Sequence, residues 1–185
     1  MKAEDGNKMN KDNISFFMGE KNETFSKCIL GQNYLNLLSI SAFPMGKENE
    51  IFEKYFSGQS YLNLLSKDQV IIKNVTFEPG CRNNWHIHHA KSGGGEILLV
   101  TAGSGYYQEW GKPVRELSTG DVVNIPAGVK HWHGAAVDSW FAHLEVVVPG
   151  DEECTEWLEA VCYEKYHKQV TVLADEDSGD KENVQ

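Results

Sequence analysis

From Val70 to Val148 the chain alternates short apolar runs with turn residues. The runs are VIIKNVTF, the stretch from Trp85 to His89, EILLVTAG, GYYQEW, DVVNIP, HWHGAA and SWFAHLEVVV. Pro79-Gly80, Gly93 to Gly95, Gly111-Lys112-Pro113, Gly120 and Ala127-Gly128 separate them. Runs of strand length, rich in β-branched and aromatic residues and bounded by glycine and proline, predict β-strands. Their close, regular spacing leaves no room for crossover helices and predicts an all-β sandwich or barrel, with a jelly roll as the leading candidate.

Upstream of the barrel the pattern repeats. Sliding the chain by 27 residues lays FFMGEKNETFSKCILGQNYLNLLS over FPMGKENEIFEKYFSGQSYLNLLS with 15 of 24 positions identical. Two copies are too few for a solenoid. Each has a polar opening containing glycine, a helical turn around Phe25 or Phe52, and the apolar run YLNLLS, which predicts a strand. Residues 16–66 therefore form a duplicated N-terminal arm with added strands, after a flexible stretch at 1–15. One copy can pair within its own sheet while the other reaches a neighbouring subunit, because exposed strand edges invite pairing. A homodimer or higher homo-oligomer is expected. The barrel takes residues 67–150. Beyond it, Trp157, Leu158, Val161 and Cys162 recur at helical spacing among charged neighbours, predicting a short C-terminal helical segment within 151–173. Residues 174–185 have no apolar periodicity and predict an acidic disordered tail.

Composition supports one folded domain. The chain has 185 residues, 41% hydrophobic, with five Trp, seven Tyr and eight Phe, enough to fill a core. Its net charge of −10 is unevenly spread. Residues 1–150 carry 16 acids and 14 bases, whereas residues 151–185 carry 11 and 3, so the barrel and arm are nearly neutral. Without clustered Lys and Arg, neither nucleic acid nor an anionic membrane is an expected partner. No apolar stretch is long enough to span a bilayer and the start lacks a signal-like apolar run, so a cytoplasmic location is expected. Cys28, Cys81, Cys154 and Cys162 form no CxxC or zinc-finger spacing and are expected to be free thiols.

Six of the seven histidines lie between positions 86 and 143, and four form two H-x-H pairs, His86/His88 and His131/His133. Residues two apart on a strand face the same way, so each pair projects two imidazoles to one side. Three imidazoles and one carboxylate suit a divalent Mn, Fe, Co, Ni or Zn ion. Glu96 is the candidate carboxylate. His133 shares the parity of His131 and is the candidate proton-transfer group. His143 lies in WFAHLEVVV, apolar on both faces, and is the second catalytic candidate. His89 points away from His88, and His167 lies in the terminal segment; neither is a ligand candidate. Trp85, Trp132, Trp140, Tyr106 and Tyr107 flank the motifs and read as core rather than as a substrate platform.

These spacings resemble the two motifs of the cupin superfamily. Gly80 is followed after five residues by His86-Ile87-His88, and Glu96 after six by Gly103; Gly120, Pro126, Gly128 and His131 match the second motif. Two departures stand out. Seven residues, HAKSGGG, separate His88 from Glu96 where the family has three or four, and Ala135 stands where it usually has Asn. More narrowly, the run from Val75 to Val148 resembles small bacterial single-domain cupins grouped with carboxymuconolactone decarboxylase-like proteins. Relatives there include manganese-dependent hydroxynitrile lyases, which usually carry Gln at the position of Glu96. The resemblance implies a double-stranded β-helix barrel with metal ligands His86, His88, Glu96 and His131. It also implies one divalent transition metal, Mn or Fe before Zn, Ni or Co. The expected function is a metal-dependent enzyme acting on a small organic molecule by lyase, isomerase or oxygenase chemistry. The alternative is a non-catalytic cupin that binds a metal or metabolite as sensor or store.

Overall fold

The computed structural model describes residues 41–162 and Tyr166. The first copy of the repeat, Cys28, His167 and the acidic tail lie outside the described residues. The second copy is described. It contains β1 (Lys47–Glu48), a 3-10 turn at Glu53–Tyr55, β2 (Phe56–Ser57) and β3 (Ser60–Ser66), so a turn follows Phe52 and a strand occupies YLNLLS.

The barrel strands follow as β4 (Ile72–Phe77), β5 (Arg82–Asn83), β6 (His86–His89), β7 (Gly95–Glu109), β8 (Arg115–Ser118), β9 (Val122–Pro126), β10 (Lys130–Ala135) and β11 (Phe141–Val147). A last strand, β12, spans Cys154–Trp157. They pair in the order β1-β3-β4-β11-β7-β10-β5-β2, with β8 and β9 on β7, β6 on β10, and β12 on β6. This is the curled, all-β architecture that the spacing of apolar runs predicts.

The fifteen-residue β7 joins the two walls. Its first half pairs with β11 and β9, and its second half with β10 and β8. The strand bends at Gly103, where φ is +72° and an added Cβ would stand 1.8 Å from the Trp140 carbonyl oxygen. Only glycine fits there, because both the left-handed backbone and the close approach exclude a side chain.

Alternation with period two selects the core. Val75 and Phe77 of β4, Leu98 and Val100 of β7, Val123 and Ile125 of β9, and Phe141 of β11 pack with Leu117 into one buried cluster. Full burial of side chains such as Leu98 or Phe141 contributes about 1.5–3 kcal/mol each. Trp85, Tyr106, Trp132, Val161 and Tyr166 form a second cluster, on which the segment after β12 is fastened. The Tyr166 hydroxyl donates to the Ala135 carbonyl at 2.5 Å. The flanking aromatics Trp85, Trp132, Trp140, Tyr106 and Tyr107 are all buried core residues.

The expected C-terminal helix is corrected over Asp151–Cys162. A turn leads into β12, which runs antiparallel to β6 with Thr155 opposite His88 and Trp157 opposite His86. Pairing with the unpaired edge of β6 satisfies this backbone and places Trp157 on aromatic neighbours, which outweighs the helical spacing of its apolar residues. Cys81, Cys154 and Cys162 are free thiols. No helix among the described residues is long and apolar enough to cross a membrane.

Candidate metal centre

Strand register builds the centre. β6 and β10 run antiparallel with His86 directly opposite His131, so the two H-x-H pairs form one row of four imidazoles, His88 at one end and His133 at the other. The row faces Glu96 at the start of β7. The inserted loop that precedes Glu96 reverses through Gly93, Gly94 and Gly95, all with positive φ (63°, 74° and 89°), and an added Cβ on Gly95 would lie 2.3 Å from the Ile125 carbonyl oxygen. The longer loop still delivers Glu96 to the interior, where it is 2% exposed.

Glu96 is the hub. Its Oε1 lies 2.9 Å from His131 Nε2, 3.8 Å from His133 Nε2 and 4.0 Å from His86 Nε2, while Oε2 lies 3.3 Å from His88 Nε2. His86, Glu96, His131 and His133 each place one ligand atom within 4.8 Å of the others. His88 stands on the far oxygen of Glu96, outside that four-residue group. The expected ligand His88 is therefore adjacent, and the expected proton carrier His133 is inside the cluster.

The opposite ring nitrogens are occupied. His86 Nδ1 donates to the Asn84 carbonyl at 3.0 Å, and His131 Nδ1 donates to the Val129 carbonyl at 2.9 Å. His88 Nδ1 meets the Thr155 hydroxyl at 3.1 Å. Fixing Nδ1 in this way aims Nε2 at the centre, the arrangement that holds metal-ligating imidazoles in one tautomer and orientation. His88 Nε2 is buried facing Glu96 Oε2. Lone-pair nitrogens converging on a carboxylate require positive charge among them, and the donor set of imidazoles plus one carboxylate fits a divalent transition metal.

Electrostatics agree. Burial, reinforced by His131, lowers His86 to about 3 and keeps it neutral, as a ligand must be. Burial would raise Glu96, but the imidazoles of His131 and His88 hold its carboxyl well below the ordinary value. For His88 burial acts downward, and the Glu96 charge outweighs it, so the imidazole is raised.

Other residues complete the site. Asn83 accepts a hydrogen bond from the His133 backbone N–H at 2.9 Å, which turns its amide toward the ring, 3.0 Å from Nε2. Trp157 stacks on His86 (centroids 4.7 Å apart) and on Tyr55 (4.6 Å). Sequence reasoning singled out neither Asn83 nor Thr155 nor Trp157 for the site; only register with β10 and β6 brings them there. His143 points inward, its ring 4.9 Å from that of His133 and flanked by Phe77 and Phe141. It is fully buried, and neither ring nitrogen has a hydrogen-bond partner. Burial lowers it to about 4, and burial together with His143 holds His133 well below the ordinary imidazole value. His89 lies on the outer face, its Nε2 hydrogen-bonded to Glu156 Oε2 at 2.7 Å.

Residues 73–148 match the family model described as the cupin domain. The (R)-mandelonitrile lyase of Granulicella tundricola is 43% identical over 95 residues, which are 51% of this chain and 70% of that protein. A cupin-like protein from Thermotoga maritima is 38% identical, with a TM-score of 0.61, covering 69% of this chain and 96% of that one. Matched along its barrel by the domain model, and similar over most of the length of both relatives, the chain belongs to the cupin superfamily.

Proposed function

We propose that the protein is a metal-dependent lyase that cleaves a bond beside a hydroxyl-bearing carbon of a small organic molecule. The observation that supports this reading best is the pairing of a metal-type donor cluster with a second, unligated imidazole. His143 is buried, unpartnered and one ring away from His133. The similarity to an (R)-mandelonitrile lyase supports the same class.

His86, His131 and Glu96 would hold the ion, with His88 and His133 on either side of them as further donors. A divalent ion bound there would act as a Lewis acid toward a substrate oxygen. His143, kept neutral by burial, accepts the hydroxyl proton. As that proton leaves, the carbon–oxygen bond becomes a carbonyl and the adjacent bond breaks, its electron pair departing with the leaving fragment. The imidazolium then returns the proton to that fragment, so no oxidant or reductant is consumed. Asn83 fixes the His133 ring through the amide contact described above. Phe77 and Phe141 exclude water from the proton carrier.

Metal analysis of the purified protein should find close to one transition-metal ion per chain, lost in a His86→Ala/His131→Ala double variant. Single His88→Ala and His133→Ala variants assign the remaining ligand by which of them loses the ion. The loaded protein should cleave mandelonitrile or a related hydroxylated substrate. Full loading of the double variant would overturn the site, and full metal without turnover of hydroxynitrile, catechol or keto-acid substrates would favour the binding-protein alternative.

A further inference from the structure

The sheet wall next to the histidine row carries an ion pair that the proposed chemistry does not use. Lys73 Nζ and Glu145 Oε1 are 2.6 Å apart. The two residues are directly opposite on β4 and β11, and Glu145 is also opposite Leu98 of β7, one of the fully buried core residues. On the same pair of strands Val147 is opposite Glu96, so Glu145 and Glu96 are diagonal neighbours on one face of the sheet. The pair therefore points into the barrel, one step along the wall from the Glu96 carboxylate. His143, two residues away on β11, shares that face.

Exposure orders these groups along the sheet face. His131, His143, Glu96 and His86 are exposed by no more than 2%, whereas the His88 side chain is 17%, Glu145 15% and Lys73 23% exposed. Exposure thus rises along this face from the donor cluster toward Lys73, Glu145 and His88, so the ion pair lies on the side of the centre nearer solvent. Burial and the Glu96 charge raise the Glu145 carboxyl, against the opposing pull of Lys73, as expected for two carboxylates sharing one compartment.

Glu145 is the hydrogen-bond partner of Lys73 among the described residues, and an ammonium has three donors. Two of its donors are therefore left without a protein acceptor among the described residues. With a divalent ion in place, the ion and Lys73 together exceed the charge of Glu96 and Glu145, so the compartment is complementary to an anion. We infer that Lys73, whose charge Glu145 now occupies in part, is a specificity-determining subsite for a substrate carboxylate, so that the substrate has a metal-directed oxygen at one end and a carboxylate at the other. This rests on the metal centre proposed above and adds the class of substrate to it.

The test measures binding rather than turnover. The full chain, loaded with Mn(II) and assayed for metal, is titrated calorimetrically with malonic, succinic and glutaric monohydroxamates and with the neutral butanohydroxamate. The wild type should bind the best-fitting carboxylated ligand about tenfold more tightly than the neutral one, the effect of one charge-assisted contact. Lys73→Met should abolish that preference, Lys73→Arg should retain part of it, and Glu145→Gln, which frees Lys73 from its competitor, should widen it. The opposite signs of Lys73→Met and Glu145→Gln exclude a general loss of folding as the explanation. An unchanged preference in fully loaded Lys73→Met, or weakened carboxylate binding in Glu145→Gln, overturns the subsite while leaving the metal centre standing. A wild type that takes up no metal overturns the centre and the subsite with it.

Discussion

His143→Leu should make the protein more stable and inactive. The imidazole lies against Phe77 and Phe141, fully buried, with neither nitrogen hydrogen-bonded. Leaving a polar group unsatisfied in the interior costs about 1–3 kcal/mol, and leucine has similar bulk without that cost. Acid adds a second contribution. The folded protein holds His143 at about 4 against 6.5 for the free imidazole, so on acidification the unfolded chain binds its proton first. The stability present above pH 6.5 is lost as the pH falls toward 4, at about 1.4 kcal/mol per pH unit, amounting to about 2 kcal/mol by about pH 5. The leucine variant keeps that stability. Urea unfolding of metal-free wild type and variant, followed by tryptophan fluorescence near neutrality and at about pH 5, measures both contributions. The variant should exceed the wild type at each pH, and by about 2 kcal/mol more in acid. Equal pH dependence in the two proteins, or a variant weaker at both pH values, would refute the reasoning.

Trp157→Ala should cost about 2 kcal/mol in urea unfolding through the loss of stacking on Tyr55 and His86, and should weaken metal uptake measured by competition with a chelator, because His86 loses the ring packed against it; a variant with unchanged metal affinity would detach β12 from the centre. Gly103→Ala should cost at least about 2 kcal/mol, since its Cβ has no room beside the Trp140 carbonyl and its backbone is left-handed. An unfolding midpoint equal to that of the wild type would show that β7 can bend elsewhere.

The barrel was legible because its information is local. Each inward run such as EILLV announces itself by composition and by the glycines at its ends, and the H-x-H parity placed His86, His88, His131 and His133 on inner faces before any strand was paired. Less visible were features that depend on register. Lys73 and Glu145 are 72 positions apart, and a charge in an isolated strand ordinarily marks a solvated face. Only the antiparallel pairing of β4 with β11 shows that these two share the interior wall. His143 sits among residues apolar on both faces, so parity was silent about its direction. The segment after Gly150 misled because Trp157, Leu158, Val161 and Cys162 mimic a helical stripe, whereas the partner that converts four of its residues into a strand, β6, lies 65 or more positions upstream.

That last strand changes where the working unit ends. The family domain matches residues 73–148, yet Thr155 and Trp157 touch His88 and His86 from beyond that boundary. Tyr55, from before it, completes the same aromatic stack, and Phe56 of β2 lies tilted against Trp157 with ring centroids 6.2 Å apart. Segments flanking the common barrel thus brace two of the candidate histidines from outside. A fragment cut at the limits of the shared domain would retain every candidate donor histidine and Glu96 but lose the ring and hydroxyl that contact two of the histidines. The candidate donors and the residues that brace two of them therefore lie on opposite sides of the domain boundary, so a change outside residues 73–148 can alter the site without touching a donor.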